Sequence, residues 1–158
     1  MKAASVHEIK KELGSIASAK LVALCMNLVK YKKDNKELLT YLLFHAHDEQ
    51  AFVVLVKEEM DTLFLDVNTS SVYLAKKTLR KILRTITKYI RYTESKQVEL
   101  DLLMYYCRGV KALNLDMESS VVLTNLYNQQ LKKIQKAIST LHEDLQFDFQ
   151  EELASLVS

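Results

Sequence analysis

The chain has 158 residues with no proline, two glycines and no tryptophan. So few glycines exclude a phosphate-cradling glycine loop and a nucleophile elbow, which need several at close spacing. Apolar residues make up 49% and charged residues 27%, and 22 basic against 20 acidic side chains leave a net charge of +2. A buried core is therefore within reach, disorder by composition is excluded, the length suits one domain over 1–158, and only the local distribution of charge carries functional information.

With proline absent, capping residues punctuate the chain. Ser5 and Glu8 have the S-x-x-E spacing of a capping box and open a short helix that Gly14 ends. Ser18 opens a second, through Leu21, Leu24, Cys25, Leu28 and Val29, with Lys30, Lys32 and Lys33 near its carbonyl end. Asp34 and Glu37 repeat the box ahead of a third helix, from Asn35 to about Ala46. Its apolar residues (Leu38, Leu39, Tyr41, Leu42, Leu43, Phe44) run nearly all round, which predicts the most buried helix. Asp48 opens a fourth, to about Val67. Its AFVVLV run has strand character, but acidic helix formers follow with no turn signal, so helix is preferred.

After a turn at 68–71 a fifth helix is predicted over about 72–92, and a sixth over about 96–113 through Leu102, Leu103, Tyr106 and Val110. Gly109 weakens the sixth slightly. A long seventh helix, about 117–145, follows a short connection. An acidic segment from about 146 reads as a short helix or a loosely held tail. The short connections predict antiparallel neighbours. The fold class expected is all-α, with six to seven antiparallel helices as an irregular bundle or a short HEAT/armadillo-like stack of helix hairpins.

The fifth helix carries the strongest signal. Between Val72 and Tyr92 it has no acid and seven bases: Lys76, Lys77, Arg80, Lys81, Arg84, Lys88 and Arg91. At about 100° per residue these fall within an arc of roughly 140°, opposite Leu79, Ile82, Leu83, Ile86, Tyr89 and Ile90. Like charges at i,i+4 repel by a few tenths of a kcal/mol each, so something must offset them. One offset is internal: the fourth helix carries Asp48, Glu49, Glu58, Glu59, Asp61 and Asp66 against Lys57 alone. The other is external, an acidic partner or a phosphate backbone. A membrane surface fits less well, because the apolar face of this helix is needed for the core.

The C-terminal stretch has the opposite sign, with Glu143, Asp144, Asp148, Glu151 and Glu152 and no Lys or Arg. Complementary sign alone suggests that it folds back on the basic stripe and screens it. In the long seventh helix Tyr127, Leu131, Ile134, Ile138, Leu141 and Leu145 are spaced 4,3,4,3,4, a heptad-like seam that serves either a bundle or a homodimer through about 117–145. Lys132, Lys133 and Lys136 lie off that seam and extend the positive surface if the fifth and seventh helices are neighbours.

Other clusters carry less. Cys25 and Cys107 lie in apolar runs without CxxC or Cys/His spacing and read as buried thiols of a reducing compartment. His45, His47 and Glu49 resemble metal ligands, but on a helix His47 points away from the other two, and His7 and His142 are isolated. Neither ExxH nor HExxH occurs, and Glu58-Glu59 and Glu151-Glu152 read as solvated faces. Tyr89 and Tyr92 beside Lys88 and Arg91, like Tyr31 beside Lys30 and Lys32, are placed to stack on bases or to half-fill a core. The N-terminal MKAASVHEIKKELGS lacks an apolar signal core, and no apolar run approaches the roughly 20 residues of a membrane span.

The stretches KDNKELLTYLLF, AKKTLRKILRTITKYIRYTESKQVELDLLMYYC and LYNQQLKKIQKAISTLHEDLQFDF resemble an uncharacterised family of small bacterial helical proteins. The resemblance implies a bacterial, cytoplasmic origin and assigns no residue a role. The expectation from sequence is a non-enzymatic, cytoplasmic scaffold or protein-interaction module without cofactor or metal. It presents the basic face at about 72–92 to an acidic partner; the alternative is non-specific, salt-dependent binding of a nucleic-acid backbone through the same face, with no membrane partner.

Overall fold

The computed structural model describes residues 1–157. Their regular structure is all α-helical, in eight helices rather than six or seven. The chain is organised as two compact units, Met1–Phe44 and a second from His45 onward, where the sequence reading takes one domain. No helix is long and apolar enough to cross a membrane among the described residues.

The first unit holds α1 (Val6–Gly14), α2 (Ser18–Tyr31) and α3 (Lys33–Phe44). The Ser5/Glu8 capping box is present in full. The Asn35 side-chain amide donates to the Leu28 carbonyl at 2.8 Å and ties α3 to α2. Three expectations change here. Helix α3 starts at Lys33, which places Asp34 in its first turn rather than at the cap, and only its Tyr41 is buried. Leu42, Leu43 and Phe44 are exposed, because an apolar surface that runs all round a helix needs neighbours on every side and this unit supplies α2 along one. Cys25, expected inside, is exposed and free.

The second unit holds α4 (Glu49–Leu65), α5 (Val72–Thr93), α6 (Lys96–Ala112), α7 (Val121–Ile138) and α8 (Glu143–Val157). Asp48, Ser71, Ser95 and Ser120 cap the first four, each side chain accepting from the backbone N–H three residues on. These bonds satisfy donors that the first helical turn leaves unpaired. Glu94 stops α5 in the left-handed region at φ 52°.

Helix α6 is the centre of this unit, packed against α4, α5, α7 and α8. Its buried residues include Leu100, Leu102, Leu103, Met104, Tyr106 and Cys107, so the sixth helix takes the central place predicted for the third. Tyr106 donates to the Leu79 carbonyl at 3.3 Å, which sets the late part of α6 beside the early part of α5, antiparallel. Gly109 has a packing role. A Cβ there would lie 2.5 Å from the Phe64 ring, so the missing side chain lets α4 and α6 approach with the Phe64 and Tyr106 rings 6.1 Å apart.

The long seventh helix is two elements. It starts at Val121, stops at Ile138, and α8 begins at Glu143. No glycine or proline marks the break. The Ser139 and Thr140 hydroxyls donate to the Lys136 and Ala137 carbonyls at 2.7 Å each, which satisfies the helix end in place of a continued turn. The heptad-like seam is therefore interrupted. Ile134 and Ile138 are buried in α7, which packs on α6 and α8, so the seam serves the unit's own core.

The acidic C-terminal stretch is the folded helix α8. Lys111 donates to the Ser155 carbonyl at 2.8 Å and Tyr127 to the Leu156 carbonyl at 2.9 Å. Arg108 pairs with Glu152, and Leu156 is buried. This helix lies on α6 and α7 rather than across the basic stripe.

Candidate anion-binding groove

Helix α5 is built as its sequence period dictates. Ala75, Leu79, Ile82 and Ile86 are buried, and the basic arc faces outward. Six of the seven predicted residues, Lys76, Lys77, Arg80, Arg84, Lys88 and Arg91, line one groove of about 670 Å³. Lys81 is exposed and does not line it. It stands at the far edge of the arc, roughly 140° from Lys76.

The groove also takes in Tyr73, Leu83, Thr87 and, from α7, Lys133. Lys133 makes the stripe two-sided. A smaller depression of about 260 Å³ continues it, lined by Thr87, Ile90, Lys96, Glu99, Leu103, Lys133, Lys136 and Ala137. There Lys96 is paired with Glu99 at 2.7 Å. The fifth and seventh helices thus meet along one positive surface, as the conditional reading of Lys133 and Lys136 required. Lys132, about 100° round α7, faces elsewhere, lining a crevice with Leu153 and Val157 of α8.

For six of the seven cations the predicted internal offset is absent among the described residues. Among the described residues, Lys76, Lys77, Arg80, Lys81, Arg84 and Arg91 have no ion-pair partner. Three of the six acids over 48–66 are engaged differently. Asp48 caps its own helix, Glu59 accepts from the Tyr89 hydroxyl at 2.8 Å, and Asp61 accepts from the Tyr105 hydroxyl at 2.7 Å. Nor do the acids of α8 pair with those six cations, since Glu152 meets Arg108 and Asp144 meets His142 at 3.3 Å.

Two aromatic rings flank the cations. Lys76 Nζ stands 5.8 Å from the centre of the Tyr73 ring, which is 74% exposed, and Lys88 Nζ stands 5.1 Å from that of Tyr89. Tyr73 was not singled out from sequence, although its helical angle is that of Arg91 and puts it in the middle of the arc. Tyr89 is half-buried and packs edge-on to Phe52 at 5.8 Å, so it is a core residue rather than a stacking platform.

The remaining chemistry-bearing residues do not converge. No group of three or more His, Cys, Asp or Glu could hold a metal ion among the described residues. His45 packs its ring 5.8 Å from Phe52. Burial pushes the Cys107 thiol from its ordinary 9.0 up to about 12, which keeps it protonated and unfit as a nucleophile.

Compared with protein-family models, curated proteins and solved structures, the chain matches none.

Proposed function

We propose that this protein is a non-enzymatic interaction module whose α5–α7 groove receives an acidic protein surface. One observation carries the reading: six cations of the α5 face have no ion-pair partner among the described residues, although α4 and α8 of the same unit are rich in acid. A row of like charges costs a few tenths of a kcal/mol per i,i+4 contact, and a partner with several carboxylates relieves all of those contacts at once. Tyr73, Leu83 and Thr87 give the groove apolar and hydroxyl surface between the charges, which suits a protein surface of mixed character. Two free thiols suit a cytoplasmic, reducing setting.

A second reading, non-specific binding of a nucleic-acid backbone, draws on Lys133. A cation on the opposite wall makes a trough that can track a phosphate chain, and Tyr73 offers an exposed ring for stacking.

Fluorescence anisotropy separates the two. Labelled poly-glutamate and labelled oligonucleotides, single- and double-stranded, are titrated at low and near-physiological salt against the wild type and Arg80→Glu/Arg84→Glu. The acidic-protein reading expects poly-glutamate to bind at low salt and to lose the site in the variant. Tighter, steeply salt-dependent binding of an oligonucleotide favours the phosphate reading. No binding of either polymer at low salt overturns both.

A further inference from the structure

The acidic helix that was expected to screen the basic stripe is fixed on the far side of α7 from it. Lys133 lines the groove, while Lys132 lines the crevice beside Leu153 and Val157 of α8. The Arg108–Glu152 pair, the Lys111 and Tyr127 hydrogen bonds and the buried Leu156 hold it there. The outward side of α8 is acidic. Asp144, Phe147, Asp148 and Glu151 are all exposed and, at i, i+3, i+4 and i+7, fall within about 100° of one another. Phe147, 71% exposed, stands at the edge of this acidic face. Asp148 and Glu151 have no ion-pair partner among the described residues.

We infer that the acidic partner of the α5 groove is the outer face of α8 from a second copy of this chain. The inference rests on the acidic-partner reading and names its occupant. Both halves of the match are present: a basic groove in which Lys76, Lys77, Arg80, Arg84 and Arg91 have no ion-pair partner among the described residues and Leu83 gives apolar surface, and an acidic helix face with Asp148 and Glu151 likewise unpaired and one exposed aromatic ring. Each belongs to the same unit, and α8 is tied down away from the groove, so a copy cannot satisfy itself. Two copies can. Phe147 rests against Leu83, and Asp148 and Glu151 reach Arg80 and Arg84. Such a contact joins different surfaces of the two chains. It closes as a reciprocal pair if both grooves are filled at once and otherwise runs head to tail.

Sedimentation velocity of the full chain across a concentration series, at low and high salt, tests this. The wild type is expected to associate at low salt and to dissociate as salt screens the charges. Arg80→Glu/Arg84→Glu and Asp148→Lys/Glu151→Lys alter exposed side chains, and circular dichroism verifies that helicity is kept. Each variant alone is expected to associate far more weakly, because the side chains that would meet at positions 80, 84, 148 and 151 then carry the same sign, and an equimolar mixture of the two is expected to associate again. Phe147→Ala, which changes no charge, is expected to weaken association about tenfold, the equivalent of about 1.4 kcal/mol.

A wild type that stays monomeric at low salt overturns the inference. So does a Phe147→Ala variant that associates as well as the wild type, since charge alone then suffices. Poly-glutamate binding distinguishes the two levels of failure. A monomer that binds it through the groove leaves the acidic-partner reading standing without a second copy; a monomer that binds only an oligonucleotide overturns both.

Discussion

Two sides of the second unit carry similar residues and use them differently. Around Tyr105, where α4, α6 and the inner face of α8 meet, charge and ring are matched. Tyr105 donates to Asp61 at 2.7 Å, Lys57 and Arg108 stand 5.3 and 5.7 Å from the centre of its ring, and Arg108 pairs with Glu152. On the α5–α7 side six cations of α5 line a groove, and five of these, Lys76, Lys77, Arg80, Arg84 and Arg91, lack an ion-pair partner among the described residues. Matched groups of this kind add a little stability and fix how helices sit. Unmatched like charges cost a little, which is the ground for the proposal that this surface meets a partner. That contrast makes the first side architecture and the second a candidate interface.

The largest effect that separates the two sides should come from high pH. Burial pushes Cys107 and Tyr127 up to about 12, and burial raises Tyr106 as well. A group whose folded value is raised keeps its proton when the unfolded chain has lost it. Its stabilising contribution is full below its unfolded value and is lost as pH rises towards the folded one. For Cys107 the window is about 9 to 12, and the loss is about 1.4 kcal/mol per pH unit. Urea midpoints should therefore fall between about pH 9 and 12, and Cys107→Ala should flatten that slope. At neutral pH a thiol reagent should label the exposed Cys25 at once and Cys107 only on unfolding. Prompt labelling of both would contradict the packed α6.

The groove responds to charge rather than to packing. Arg80→Glu/Arg84→Glu should lower poly-glutamate affinity at low salt at least about tenfold, or about 1.4 kcal/mol. The melting temperature should hold or rise slightly, because i,i+4 repulsion is relieved. Arg108→Glu on the matched side should do the reverse, keeping affinity while costing about 1 kcal/mol of stability. If both variants behave alike, the distinction between the two sides fails.

Gly109→Ala probes the matched side through shape alone. The added methyl would sit 2.5 Å from the Phe64 ring. Overpacking costs about 1–3 kcal/mol, and the better helix propensity of alanine returns up to about 1 kcal/mol. A net destabilisation of about 1 kcal/mol is expected by urea unfolding, with Phe64→Leu restoring part of it in the double variant. A stabilised Gly109→Ala would show that the ring yields freely.

These contrasts also explain what the sequence could disclose. Short-range physics was legible. The Ser5/Glu8 box and the Asp48 cap stand at their predicted places, and α5 runs over Val72–Thr93 against an expected 72–92, because a cap or a period involves residues within a few positions. The basic arc follows from the same arithmetic. Its pairing did not, since Glu59 and Asp61 could have met α5 cations and instead met tyrosine hydroxyls. Which way a long side chain turns depends on helices packed beside it. Lys133 joins the groove for the same tertiary reason. The break after Ile138 escaped because two hydroxyl–carbonyl bonds made it, at Ser139 and Thr140, residues also common inside helices. The central position went to α6 rather than α3 because hydrophobicity shows what can be buried, while neighbours decide what is.

The smallest change tests whether the two sides are independent. Tyr105→Phe removes one hydroxyl and keeps the ring under Lys57 and Arg108. Hydrogen bonding to Asp61 is the main cause holding the Tyr105 hydroxyl above its ordinary value, with burial adding to it, so the proton is shared with a carboxylate that the variant leaves to water. Asp61 is exposed and pays little desolvation penalty when released. The loss should therefore stay near the low end for a hydrogen bond, about 0.5–1 kcal/mol, or a fall in Tm of about 1–4 °C. Groove affinity for poly-glutamate should not move. A changed affinity would mean that the α4–α6 contact reaches the α5 cations through the shared core, and the matched side would then belong to the interface rather than only support it.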